Sequence, residues 1–323
     1  MITLNNTEMY QSYAIGIDVG GSSLKCGVVN HHGEILYSTI ISLKNAKTQG
    51  AIIALIVEAI QTCAKKFKNP ILGVGIGFPG IIYNNKIIAG ADNLPGFKQL
   101  ALGEILQDVT RYNIVMDNDA NLMGLGEMTY GAAKDCSDVV FLTVGTGIGG
   151  AVMIDSKLYG GFRNRGTELG HIVVQHNGIA CACGGKGCLE AYASVTALLN
   201  HYQFIHPALS EMENIDGKYI VEKYLAGEEY AVKAMELHFD YLATGIISFI
   251  NIFSPQKIVI GGGISEAGAF YSREIERRIK TLAVPITSTD SLVVSAKLGN
   301  KAGLLGCAAH VFQKFKAFDY APK

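Results

Sequence analysis

The sequence predicts an α/β protein built from two similar domains that face a cleft. Its 323 residues correspond to about two domains of ordinary size. Apolar residues make up 49% of the chain and charged residues 17%, a composition that excludes disordered and collagen-like proteins. A pattern of strands and turns that begins at Tyr13 starts again near Asp138, and such a repeat is typical of a duplicated domain.

The first half of the chain is predicted to form a β-meander followed by alternating helices and strands. Short apolar runs bounded by turn residues predict the strands, and longer periodic runs predict the helices. We expect strands near residues 14–19, 24–29, 34–41, 71–78 and 113–117, and helices near 48–68, 99–109 and 120–130.

The repeat begins where residues 138–161 can be laid over residues 13–36. This alignment places Thr143 opposite Asp18 and Gly145 opposite Gly20. The remaining chain predicts helices near 216–226, 229–253, 265–280 and 300–315, and strands at 257–263 and 292–295. We therefore predict a first domain over residues 1–117 and a second domain over residues 118–299, with a final helical segment, 300–323, that packs back on the first domain.

Charge and hydropathy argue against nucleic-acid and membrane partners. Lys and Arg total 27 and Asp and Glu total 28, so no basic excess predicts binding to nucleic acid. The longest apolar run, Tyr241 to Phe253, is shorter than the ~20 residues that span a bilayer, and it predicts a buried helix. The start of the chain lacks the features of a secretory signal, and the 7 cysteines cannot all pair. We therefore expect a cytoplasmic protein.

Three glycine-rich turns follow predicted strands, at residues 18–21, 143–150 and 261–263. Glycine allows backbone N–H groups to approach phosphate oxygens because no Cβ atom blocks the approach. The alternative for the first two turns is a tight hairpin with glycine in left-handed conformations. Because these two turns occupy equivalent positions in the repeat, the pattern favours phosphate binding. The third turn is a candidate neighbour of a nucleoside, although a strand-to-helix turn alone also needs glycine.

Two acidic residues, Asp18 and Asp119, lie at the ends of predicted apolar strands. Phosphoryl transfer needs an acceptor hydroxyl group that is oriented or deprotonated, and it needs the charge on the phosphoryl group to be neutralised. A pair of carboxylates suits these two tasks. The alternative for Asp119 is a helix N-cap without chemistry. The neighbouring Asn118 and Asn121 add hydrogen-bonding groups that a cap does not require.

A cluster of metal-binding residue types follows the segment GTELGH. Together, His171, Cys181, Cys183 and Cys188 offer one nitrogen and three sulfur ligands, which suit tetrahedral Zn²⁺. Four protein ligands would close the coordination shell, so the predicted site is structural rather than catalytic. The competing imidazole ligand is that of His176.

These motifs together resemble the ROK family of sugar kinases and sugar-responsive repressors, within the clan of actin-like and hexokinase-like ATPases. The resemblance implies the two-domain actin/hexokinase-like ATPase fold, with duplicated domains of a β-sheet and helices. The motifs that carry it are DVGGSSLK at 18–25, NDAN at 118–121, TVGTGIGGA at 143–151, GTELGH at 166–171, CACGGKGCLE at 181–190 and IVIGGGI at 258–264.

The resemblance also implies residue roles. Asp119 would be the general base that takes the proton from the attacking sugar hydroxyl group. The sugar would be bound by Asn93, Asn118, Asp119, Glu168, His171 and Glu190. The phosphates and Mg²⁺ would lie between Asp18, Gly20, Gly21 and Lys25 on one side and Thr143, Gly145, Thr146 and Gly147 on the other. Adenosine would lie beside Gly261, Gly262 and Gly263, and His171 would serve both zinc and sugar.

The expected function is transfer of the γ-phosphate of ATP to the 6-hydroxyl group of glucose, because CLEAYAS at 188–194 is similar to the glucokinase branch. The nearest alternative is a kinase for N-acetylmannosamine or N-acetylglucosamine. A sugar-responsive DNA-binding regulator is a remote alternative, since only 17 residues precede Asp18 and a DNA-binding module needs roughly 60–80. Relatives of this kind also suggest a homodimer.

Overall fold

The structure, a computed structural model, describes residues 12–90, 94–206, 215–284 and 292–315. These residues form two compact units. The first unit contains the described residues up to Lys134, residues Gly160–Gly166 and the described residues from Asn300 onward. The second unit contains Asp135–Tyr159 and the described part of Thr167–Gly299. Within the described ranges, no helix has both the length and the apolar character needed to cross a membrane.

The helices and strands alternate along most of the chain. The strands are β1 (Tyr13–Val19), β2 (Ser23–Asn30), β3 (Ile35–Ser42), β4 (Ile71–Phe78), β5 (Ile81–Tyr83), β6 (Lys86–Ala89), β7 (Ile114–Asn118), β8 (Val139–Val144), β9 (Ile148–Ile154), β10 (Lys157–Leu158), β11 (Lys257–Gly261) and β12 (Leu292–Ser295). The helices are α1 (Gln49–Lys66), α2 (Leu102–Thr110), α3 (Asp119–Tyr130), α4 (Glu190–Ala193), α5 (Val195–Ile205), α6 (Gly217–Leu225), α7 (Glu229–Phe253), α8 (Ala269–Leu282) and α9 (Ala302–Lys314).

The predicted α/β duplication is confirmed by the two main sheets, which have the same strand order. The first sheet is ordered β3-β2-β1-β4-β7 and the second β10-β9-β8-β11-β12. In the first sheet β1 pairs antiparallel with β2 and parallel with β4. In the second sheet β8 pairs antiparallel with β9 and parallel with β11 in the same way. Asp18 and Thr143 each precede the last residue of the equivalent strand, β1 or β8. The alignment of the two glycine-rich turns therefore holds in three dimensions.

The predicted domain boundary near residue 118 differs from the observed division into units. Helix α3 belongs to the first unit, because it packs closely against α9, which also lies in that unit. The polypeptide returns to the first unit at Gly160–Gly166 and again from Asn300 onward. The assignment of residues 118–299 to one functional domain stays a prediction.

Several elements differ from the sequence expectations. The hairpin β5–β6 and helices α4 and α5 were absent from the predicted set, since the hairpin strands and α4 are only 3–4 residues long. The helix predicted over residues 265–280 instead consists of a 3₁₀ turn, Gly263–Ala267, followed by α8. The interruption lies at Gly268, whose φ of 111° is incompatible with a continuous right-handed helix.

Close backbone packing around α9 defines the core of the first unit. A Cβ atom on Gly75 of β4 would overlap the carbonyl oxygen of Cys307, and a Cβ atom on Gly306 would overlap that of Leu122 in α3. Most of the side chains of α9 are buried. Glycine is therefore required for α9 to reach both the sheet and α3.

The core of the second unit is organised around α7. The predicted buried helix at Tyr241–Phe253 is confirmed as the second half of α7, in which Leu242, Ile246 and Phe249 are almost fully buried. These side chains belong to one apolar cluster with residues of β8, β11 and α8.

We predict that Gly306→Ala lowers the free energy of unfolding by about 1–3 kcal/mol, the usual range for overpacking a core. The expected loss reflects the overlap of the new methyl group with the Leu122 carbonyl oxygen. The matched control is Gly50→Ala in the first turn of α1, where a Cβ atom has no heavy atom within 4 Å. Urea unfolding should show equal or greater stability for the control, and a Gly306→Ala variant as stable as wild type would contradict the packing argument.

Candidate active site

Asp18 lies at the end of β1 in the first unit and is only 6% exposed. Its Oδ2 atom is 3.6 Å from Nζ of Lys25, which also donates a hydrogen bond to the carbonyl oxygen of Asn300 at 3.4 Å. Burial raises the pKa of the Asp18 carboxyl group, and the charge of Lys25 partly opposes this shift. A cation bound beside Asp18 would therefore be favoured, because it offsets the desolvation of the carboxylate.

Asp119 begins α3, directly after β7. The helix is capped by Asn118, whose Oδ1 accepts a hydrogen bond from the N–H of Asn121 at 3.1 Å. The Nδ2 atom of Asn118 donates to the carbonyl oxygen of Gly80 at 3.1 Å. The capping role considered for Asp119 therefore belongs to Asn118, whereas Asp119 accepts from the N–H of Ala120 at 3.0 Å.

The second glycine-rich turn joins β8 and β9 in the second unit. The carbonyl oxygen of Gly145 accepts a hydrogen bond from the N–H of Val195, and that of Thr146 accepts from Oγ1 of Thr196, both at 2.8 Å. Neither Gly20 in the first turn nor Gly145 has a positive φ, so left-handed hairpin glycines do not explain these residues. Space for a Cβ atom at Gly145 is open, which leaves the turn accessible to a ligand.

Glu190 connects this turn with the cysteine-rich loop. Its Oε2 atom accepts a hydrogen bond from the N–H of Ile148 at 2.8 Å. A Cβ atom on Gly147 would overlap the same carboxylate, which explains the glycine at that position. The other oxygen, Oε1, lies 3.8 Å from Sγ of Cys181. Its predicted role as a sugar ligand stays a prediction.

The predicted metal ligands converge in the second unit. One ligand atom from each of His171, Cys181, Cys183 and Cys188 lies within 4.8 Å of the others. A 3₁₀ turn, Leu169–His171, orients His171, and its N–H donates to the carbonyl oxygen of Glu168 at 2.9 Å. The competing His176 is exposed and is not part of the cluster. One nitrogen and three sulfur ligands fit a closed, tetrahedral zinc site.

A cavity of about 580 Å³ adjoins the second glycine-rich turn and the third. Gly262 in the third turn has a φ of 89°, and a Cβ atom there would overlap the carbonyl oxygen of Val144. The cavity wall is mostly apolar, with one basic and one acidic side chain. It is lined by Gly145, Thr146, Val195, Gly217, Lys218, Val221, Glu222, Leu225, Gly263, Ile264 and Ala267.

Each unit thus holds one group of the predicted site residues. The first unit holds Asp18, Gly20, Gly21, Lys25, Asn118 and Asp119. The second holds Thr143, Gly145, Thr146, Gly147, Glu168, His171, Cys181, Cys183, Cys188, Glu190, Gly261, Gly262 and Gly263. The predicted sugar ligand Asn93 lies outside the described residues. Sequence reasoning missed Lys218 and Glu222, because α6 carries an ordinary amphipathic pattern without a motif.

Comparison with known proteins decides the family, since residues 14–314 match the ROK family. The chain belongs to the ROK family. A glucokinase from Thermotoga maritima is 33% identical over 310 residues, covering 93% of this chain and 97% of that protein. A xylose repressor from Caldicellulosiruptor bescii is 29% identical over 320 residues, covering 95% of this chain and 80% of the repressor.

Solved structures agree with this membership. A ROK glucokinase from Streptomyces griseus, in complex with glucose and AMPPNP, is 29% identical with a TM-score of 0.79, covering 93% of this chain and 99% of that one. A protein from Listeria monocytogenes, provisionally assigned as an N-acetylmannosamine kinase, is 26% identical with a TM-score of 0.79, covering 94% and 99%. The predicted actin/hexokinase-like ATPase fold is confirmed, and the glucokinases support the predicted ATP-dependent hexose kinase.

Proposed function

We propose that this ROK protein is an ATP-dependent kinase that phosphorylates the 6-hydroxyl group of glucose. The observation that carries the proposal is Asp119, a carboxylate at a strand-to-helix junction whose backbone is fixed by the Asn118 cap. Support for a hexose kinase comes from the Thermotoga glucokinase and from the Streptomyces enzyme with bound glucose and AMPPNP.

Asp119 acts as the general base in this reaction. Its carboxylate accepts the proton of the 6-hydroxyl group as that oxygen attacks the γ-phosphorus of ATP. The bond between the γ-phosphorus and the bridging oxygen breaks, and the negative charge leaves on ADP. A positioned base of this kind contributes roughly 10²–10⁴-fold to the rate.

The first unit contributes Asp18 and Lys25 to the phosphate site. Lys25 supplies positive charge for a phosphate oxygen. Asp18 is the carboxylate suited to hold Mg²⁺, since burial penalises its negative charge and the nearby Lys25 offsets this penalty only in part. Mg²⁺, when bound, neutralises charge on the transferring phosphoryl group. Carboxylate oxygen is the ligand type that Mg²⁺ prefers, so the residues fit the ion.

The second unit contributes the nucleoside and sugar contacts. The cavity of about 580 Å³ has the mostly apolar wall that suits a base and ribose, and Gly145 and Thr146 connect it with the phosphate turn. Glu168 and His171 bind the sugar, and His171 would hold zinc together with the three cysteines, which would fix the orientation of its imidazole ring. The zinc ion would thus be structural and would order the loop beside the proposed sugar pocket.

Two alternatives have specific support. The Listeria structure supports a kinase for an N-acetylhexosamine, which presents an acetamido group where glucose has its 2-hydroxyl group. The Caldicellulosiruptor xylose repressor supports a sugar-responsive regulator. Turnover of a hexose by the purified protein, without salt-sensitive binding to DNA, favours the kinase.

We predict that Asp119→Asn lowers kcat by roughly 10²–10⁴-fold and changes glucose affinity by no more than several-fold. Asn has nearly the same shape as Asp, but its amide group cannot accept the proton. Steady-state kinetics and equilibrium glucose binding measure the two effects. If the variant keeps more than about a tenth of wild-type kcat, another residue is the base.

We predict close to one zinc ion per chain, lost in Cys183→Ser together with tight glucose binding. The reason is that the metal holds the loop that carries His171 and leads to Glu190. Elemental analysis of the purified protein and calorimetric glucose titration are the measurements. Cys136→Ser, a cysteine outside the cluster, is the matched control and should retain both. Full glucose binding by a zinc-free protein would exclude this role.

We predict that kcat/KM for glucose exceeds that for N-acetylmannosamine and N-acetylglucosamine by at least about tenfold, or 1.4 kcal/mol of transition-state discrimination. A pocket that pairs its polar groups with a hydroxyl group rejects an analogue that leaves them unpaired. Steady-state assays with saturating ATP and Mg²⁺ decide the substrate. A higher kcat/KM for an N-acetylhexosamine would leave the proposed role of Asp119 unchanged, but it would identify the N-acetylhexosamine rather than glucose as the substrate.

A further inference from the structure

We infer that Asp117 is a positioning residue for Asp119, and that Asn164, from a distant part of the chain, completes its hydrogen-bond network. This inference rests on the proposed role of Asp119. Both residues belong to the first unit, although 47 positions separate them in sequence.

A single oxygen of Asp117 accepts hydrogen bonds from three N–H groups. Its Oδ1 atom accepts from the backbone N–H of Asn118 at 2.7 Å, from Nδ2 of Asn121 at 2.8 Å and from Nδ2 of Asn164 at 3.0 Å. The first two donors lie on either side of Asp119 in the sequence. The Asp117 carboxylate therefore holds both ends of the turn that carries Asp119.

Asn164 is itself held in a constrained loop. Its Nδ2 atom donates to the carbonyl oxygen of Ile82 at 2.9 Å as well as to Asp117, so both amide hydrogens are used. A Cβ atom on Gly160 would overlap Oδ1 of Asn164, and the N–H of Gly166 donates to the carbonyl oxygen of Gly160 at 2.7 Å. The absence of a side chain at Gly160 therefore leaves the space that the Asn164 amide group occupies.

The backbone of this loop is strained at Arg163 and Asn164, next to the Asn164 side-chain amide group that contacts Asp117. Arg163 and Asn164 have φ values of 55°, in the left-handed region that non-glycine residues rarely adopt. Such conformations persist only where the surroundings compensate for them, and they concentrate at functional sites. The two hydrogen bonds of Asn164 are the compensation that the structure offers.

The network affects the reaction through geometry. Hydrogen bonds to a carboxylate are stronger than neutral ones, so three donors on one oxygen restrict the first turn of α3. A displacement of about 1 Å in a catalytic group can lower the rate by roughly 10²-fold. Loss of Asn164 should therefore lower kcat and leave the binding of glucose nearly intact.

The test compares Asn164→Ala with Asn30→Ala. Asn30 also makes side-chain hydrogen bonds within a turn of the first unit, to Glu34 and to the N–H groups of His32 and Glu34, but none of them involves the Asp119 turn. For Asn164→Ala we expect kcat about 10–100-fold lower, with KM for glucose within threefold of wild type. We also expect amide exchange at Asn118 and Asn121 to be about tenfold faster. The control variant Asn30→Ala should leave kcat, KM for glucose and amide exchange at Asn118 and Asn121 unchanged.

Several results would overturn the inference. They are kcat within twofold of the Asn30→Ala value, a raised KM with unchanged kcat, or unchanged exchange at Asn118 and Asn121. If the wild-type protein phosphorylates no hexose, the proposed function fails, and the exchange data alone then decide the network. Faster exchange at those two amides would support it, and unchanged exchange would reject it.

A second variant separates positioning from general stability. Asp117→Asn keeps the shape of the side chain and removes the charge, so kcat should fall in the same direction. Because both residues act through one contact, Asp117→Asn/Asn164→Ala should lose no more than about threefold beyond the more severe single variant. Full multiplication of the two single effects would show that the residues act independently, against the inference.

Discussion

The first unit depends on the close approach of α9 to the sheet and to α3, which only glycine allows. Gly75 on β4 and Gly306 on α9 lie where a side chain would overlap a backbone carbonyl group. Gly303, in the first turn of α9, lies so close to Asp18 that a Cβ atom there would be 2.6 Å from its Cγ atom. The start of a helix favours negative charge, so α9 supports the buried Asp18 while its contact with α3 supports the helix of Asp119.

In the second unit, one carboxylate performs a comparable linking role. Glu190 accepts a hydrogen bond from Ile148, at the end of the second glycine-rich turn, and its other oxygen lies near Cys181. The position of the cysteine-rich loop and the shape of the turn are therefore coupled through one side chain. If the proposed zinc ion binds His171 and the three cysteines, this coupling would connect it with the second glycine-rich turn without direct contact with a nucleotide.

Much of the fold and of the candidate site could be predicted from sequence because their signals are local. Apolar runs indicated the main strands, and the repeat that aligns Asp18 with Thr143 predicted two similar domains, which agrees with the common strand order of the two sheets. The contribution of Asn164 could not be predicted, since it depends on a long-range return of the chain to the first unit. The part of the cavity wall that α6 forms could not be predicted, because its lining residues Val221 and Glu222 lie in an ordinary amphipathic helix. The homodimer and the cytoplasmic location stay predictions.

The duplicated sheets also differ chemically at their equivalent positions. The first carries a buried acid, Asp18, beside Lys25, whereas the second carries the neutral Thr143. A carboxylate near phosphate oxygens repels them unless a cation lies between, so an acid is favourable only where a metal ion can accompany it. Under the proposed function, one acid and one hydroxyl group would let both duplicated turns bind phosphate while only the first holds Mg²⁺. Changing this one residue within a shared sheet topology would then separate the proposed metal binding of the first turn from the proposed phosphate binding of both.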